Sequence, residues 1–66
     1  MAIFTRFGSE IELINVIDDD QLPDELWFHV QYQNGKQGQV AVWDLKADGG
    51  LAAITQIAET LPHVKG

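Results

Sequence analysis

The chain has 66 residues, 45% of them apolar, which is enough for one packed domain and no more. It contains no cysteine, which rules out disulfides, thiolate nucleophiles and cysteine-based zinc or iron–sulfur sites. Ten acidic residues stand against four basic ones, and the four scattered cations Arg6, Lys36, Lys46 and Lys65 in a net charge of −6 cannot form the clustered basic face that nucleic acid or an anionic membrane requires.

Residues 2–7 are short, apolar and rich in strand formers, and predict a first strand that Gly8 interrupts. Over residues 9–17, Glu10 and Glu12 fall on one face and Ile11 and Leu13 on the other, the period of a half-buried strand. Beyond Ile14 both faces turn apolar, as expected where a strand bends or is covered on both sides. Residues 18–24 predict a loop, because consecutive acids repel and Pro23 disfavours helical geometry at Leu22. Residues 25–33 form the strongest strand, with Leu26, Phe28, Val30 and Tyr32 on one face and Trp27, His29 and Gln31 on the other.

Asn34-Gly35 marks a hairpin into a fourth strand over residues 36–44. A two-residue turn would set Val30 opposite Gln39 and mix polar with apolar side chains. A three-residue loop, Gln33-Asn34-Gly35, instead sets Phe28 opposite Val40 and Trp27 opposite Ala41, leaving one dry face. Residues 48–61 predict a helix with Asp48 as N-cap and Leu51, Ile54, Ile57, Ala58 and Leu61 on one apolar stripe. Pro62 ends it, and the tail from His63 to Gly66 is expected to fray.

The expected fold class is α+β. It is a small antiparallel, SH3-like bent sheet or barrel of about four strands, closed on its open side by one C-terminal helix. A flat four-stranded sheet with the helix on one face is the alternative.

Most of the reactive side chains lack the companions that chemistry needs. The acidic loop, Asp18, Asp19, Asp20, Asp24 and Glu25, could offer oxygen ligands, but it has neither the turn glycine nor the closing glutamate of a calcium loop. Glu10 and Glu12 lie about 7 Å apart by strand rise, on a face that reads as exposed. His29 and His63 have no ligand at metal spacing, and no G-x-S-x-G elbow is present. Asp48-Gly49-Gly50 precedes a helix without the Lys and Ser/Thr of a phosphate loop. No enzymatic activity, metal or cofactor is expected.

The tryptophans carry more information. In the three-residue register Trp27 and Trp43 share a face with His29 and Ala41, forming an aromatic patch on an otherwise polar side. Either the helix covers that face or the patch is open and anchors a protein interface, where an acidic rim of Asp18, Asp19, Asp20 and Asp24 would suit a basic peptide. Self-association as a homodimer or small homo-oligomer, through the patch or an edge strand, is the other expectation.

The hairpin Asn34-Gly35-Lys36-Gln37-Gly38-Gln39-Val40, followed by Leu45-Lys46-Ala47-Asp48-Gly49-Gly50-Leu51 and Ile54, resembles small hypothetical proteins of plasmids and integrated mobile elements. The resemblance covers the C-terminal half and implies a genetic context, with no catalytic residue to carry over. The expected function is a non-enzymatic protein–protein interaction or self-association in an accessory protein. The alternative is an acidic inhibitor of a DNA-processing protein, in which Glu10, Glu12 and Asp18–Asp20 imitate phosphates. With no secretory segment and no apolar run of about 18 residues, a cytoplasmic location is expected.

Overall fold

A computed structural model describes residues 2–66. The chain runs β1 (Ile3–Thr5), β2 (Glu10–Asp18), β3 (Trp27–Tyr32), β4 (Gln37–Ala41), a 3-10 turn (Val42–Asp44), β5 (Leu45–Ala47), α1 (Gly50–Ala58) and β6 (His63–Lys65). The architecture is α+β, an open sheet in the order β4-β3-β2-β1-β5 with one helix. These five strands are antiparallel to their neighbours, and β6 adds to β2 in parallel.

Two hairpins share one loop design. Tyr32 N–H donates to Lys36 O at 2.8 Å and Gly35 N–H to Tyr32 O at 3.0 Å, closing Gln33-Asn34-Gly35. Thr5 N–H donates to Ser9 O at 2.8 Å and Gly8 N–H to Thr5 O at 2.9 Å, closing Arg6-Phe7-Gly8 in the same way. The third residue must adopt a positive φ, 91° at Gly8 and 86° at Gly35, which a side chain would strain. The second loop was legible in the sequence and sets the expected register, Trp27 opposite Ala41 and Phe28 opposite Val40. The first was not, so β1 ends at Thr5 rather than at residue 7.

In β2 a bulge between Leu13 and Asn15 shifts the register against β3 and keeps Ile11, Leu13 and Val16 on the inner face. That face meets Phe28, Val30, Val40 and Leu45, and the helix lays Ile54 and Ala58 across it. A bend of this kind accounts for the two apolar faces beyond Ile14.

The expected fourth strand over residues 36–44 divides in two. Its first half stays on β3, the 3-10 turn carries the chain across, and its continuation β5 pairs with β1. The helix is shorter than residues 48–61. Gly49, in a left-handed conformation, occupies the N-cap with no side-chain cap bond, so Asp48 does not cap. Leu51 does not join the core stripe and is 61% exposed. The tail does not fray: Val16 pairs with His63, Ile17 with Val64 and Asp18 with Lys65, while Gly66 N–H donates to Asp18 O at 2.8 Å. Among the described residues no helix is long and apolar enough to cross a membrane.

Candidate functional site

The helix covers the face bearing Phe28 and Val40, so Trp27, next to Phe28 in β3, falls on the opposite face. Trp27 begins β3, where its side chain alternates away from Phe28. Trp43 projects from the 3-10 turn that follows β4. The two rings meet edge to face, with centroids 5.8 Å apart and planes at 79°, a favoured geometry for aromatic pairs. Trp27 is half-buried, whereas Trp43 is 59% exposed. Trp43 is thus left open to solvent, while Ile54 and Ala58 of the helix pack into the Phe28 cluster.

The other expected patch members divide. Ala41, directly across the strand pair from Trp27, is 1% exposed, so it is not a contact surface. His29 stands one pair further along, opposite Gln39, half-buried and with Nδ1 3.4 Å from Asn15 Oδ1. It sits on the same face, beside the tryptophan pair.

Trp27 Nε1–H donates to Glu25 Oε2 at 2.9 Å, which fixes the indole against the acidic loop. Glu25 is therefore a carboxylate in direct contact with the patch. Of the four aspartates of the expected rim, Asp18 ends β2 and Asp19, Asp20 and Asp24 lie in the loop that follows. Asp18 holds His63 Nδ1 at 3.0 Å, Asp20 lies 3.8 Å from Lys65 Nζ, and Asp19 Oδ1 accepts the Gln21 N–H at 2.9 Å. Asp24 is exposed. With Glu25 these residues are half of the acids in the chain, gathered at one end of the sheet. Among the described residues no three His, Asp or Glu side chains gather as a metal set.

On its other side Trp43 walls an apolar groove of about 360 Å³ with Val42, Leu45, Leu51 and Ile54. Trp27, Trp43 and Leu51 thus mark one strip running from the sheet end to the start of the helix. Sequence reasoning missed Leu51 and Glu25. Leu51 matched the apolar stripe, but in the first turn of the helix it is left 61% exposed. Next to the strip, Asp44 is engaged by Arg6, whose Nε lies 3.5 Å from Oδ1 and whose guanidinium rests 4.7 Å above the Phe7 ring.

A larger groove of about 540 Å³ lies elsewhere, along Ile3, Ile11, Leu13, Tyr32 and Ile57, with Glu10 and Glu12 on its border. Gln33 Nε2–H donates to Glu10 Oε1 at 3.2 Å, and both glutamates are exposed. The strip beside Trp43 is the better site, because large aromatic side chains with open faces are the usual anchors of protein interfaces.

No family model, curated protein or solved structure matches the chain.

Proposed function

We propose that this protein is a non-enzymatic interaction module of SH3-like build whose Trp27–Trp43 pair docks a basic, partly apolar peptide segment of another protein. The strand order β4-β3-β2-β1-β5 and the 3-10 turn between β4 and β5 support the SH3-like reading of the open sheet. The observation that carries the functional reading is the solvent-facing Trp43 ring, braced by Trp27 beside five carboxylates at the end of β2 and in the loop that follows. Trp43 and Leu51 offer apolar area, and Glu25 with the aspartates offers attraction for Arg or Lys. The accessory role in a mobile element belongs to the same proposal, on the resemblance of the hairpin and helix start.

The test is a titration of intrinsic tryptophan fluorescence with a synthetic peptide alternating arginine and valine. Saturable change with the arginine peptide, none with a glutamate–valine counterpart, and weakening in salt are expected. Equal response to both peptides, or to neither, would reject the reading.

A further inference from the structure

We infer that the free edge of β4 pairs with the same edge of a second copy, making an antiparallel two-fold dimer centred on Gln39. Tyr32 N–H donates to Lys36 O and Val42 N–H to Leu26 O, so both ends of this strand turn toward β3 at even-numbered residues. By the alternation of an antiparallel ladder, Gln37 and Gln39 turn their N–H and C=O groups outward, as Ala41 does its N–H. An edge of this kind is a template for another strand unless charge, proline, a bulge or shortness blunts it. The run Gln37-Gly38-Gln39-Val40-Ala41 has no charge and no proline, and its ladder with β3 is regular. The opposite edge, β5, is blunted by both means available to it: it is only three residues long and carries Lys46.

The occupant is a second copy because the edge is complementary to itself. With Gln39 opposite its own counterpart, the two residues exchange both backbone bonds, and Ala41 N–H reaches the facing Gln37 carbonyl. Lys36, which makes no ion pair among the described residues, then comes opposite Val42 of the other copy and toward the end of the strip where Asp44 stands. The net charge of −6 repels two copies in general, yet this edge is the uncharged part of the outline. A two-fold axis between antiparallel strands stands perpendicular to the sheet, so both tryptophan pairs would face the same side. Such a dimer would offer two docking strips to one partner chain and raise its avidity without a new contact. The inference stands whether or not the strip takes a basic peptide.

Light scattering at millimolar protein is the first reading. A mass of twice 7.4 kDa is expected for the wild type, and the single-chain mass for Gln39→Lys, which sets two ammonium groups face to face. A wild-type monomer, or a Gln39→Lys variant that stays dimeric, would overturn the inference. If far-UV circular dichroism shows Gln39→Lys unfolded, Gln39→Cys decides, because the chain has no other cysteine. Facing residues in a hydrogen-bonded pair lie about 5.5 Å apart at Cα, within disulfide reach. Rapid oxidation to a covalent dimer is expected for Gln39→Cys and not for Gln56→Cys on the exposed helix side; equal rates would overturn the pairing. Trp43→Ala is expected to remain dimeric, and a monomer there beside a dimeric Gln39→Lys would move self-association to the tryptophan strip.

Discussion

Phe28→Ala is expected to leave the chain largely unfolded in water at room temperature. Phe28 is 0% exposed and sits in the middle strand of three, with the buried residues Val16 and Val40 as its cross-strand partners. Ile54 of the helix belongs to the same cluster, so one ring joins both layers. Removing a buried phenylalanine side chain costs about 3–5 kcal/mol, transfer and cavity together. A core in a chain this small supplies only about 3–5 kcal/mol of net stability. The two magnitudes match, so the loss is decisive. Far-UV circular dichroism and urea titration read it directly. A variant with a folded spectrum and a midpoint near that of the wild type would contradict the placement of Phe28 at the centre.

Trp43→Ala is expected to do the reverse, sparing the fold and removing binding of the arginine–valine peptide. The ring gives up one edge-to-face contact with Trp27, worth about 0.5–1.5 kcal/mol, and little buried area. An anchor of this type contributes at least about 2 kcal/mol to an interface, so affinity should fall roughly thirtyfold or more. Trp27→Ala does not separate the two effects as well, because Trp27 is half-buried opposite Ala41 and its indole is tied to Glu25. Urea midpoints and fluorescence titrations on the same samples give the comparison. A large stability loss with unchanged affinity in Trp43→Ala would place the ring in the core and remove the site.

Much of the sheet was legible because its signals are local. The alternation over residues 25–33 and the glycine of Gln33-Asn34-Gly35 together determine which side chains face Phe28 and which face Trp27, and the observed register follows from them. The elements that were not legible depend on distant partners. Val42 and Trp43 are strand formers, yet with Asp44 they make the 3-10 turn that carries the chain from β3 to the edge of β1. His63–Lys65 has no pattern of its own, and becomes a strand because β2 has a vacant edge at Val16–Asp18. Leu51 fits a helical stripe, but whether it is buried depends on what packs over the first turn of the helix.

The same division holds at the site. Trp27, His29 and Ala41 were readable as one face, since the β3–β4 pair places them there. Which residues are surface was not readable, because Ala41 is buried although it lies on the Trp27 face, and Trp43 leaves the strand. Glu25 was visible as part of the acidic loop, and its bond to the indole comes from the path of the loop entering β3.

The most direct measurement follows the two indole N–H signals and the backbone amides by NMR while the arginine–valine peptide is added. The account predicts that the Trp27 and Trp43 indoles and the amides of Glu25, residues 42–44 and Leu51 shift together along one saturation curve. Shifts confined to the groove beside Glu10 and Glu12, with both indoles unmoved, would contradict it.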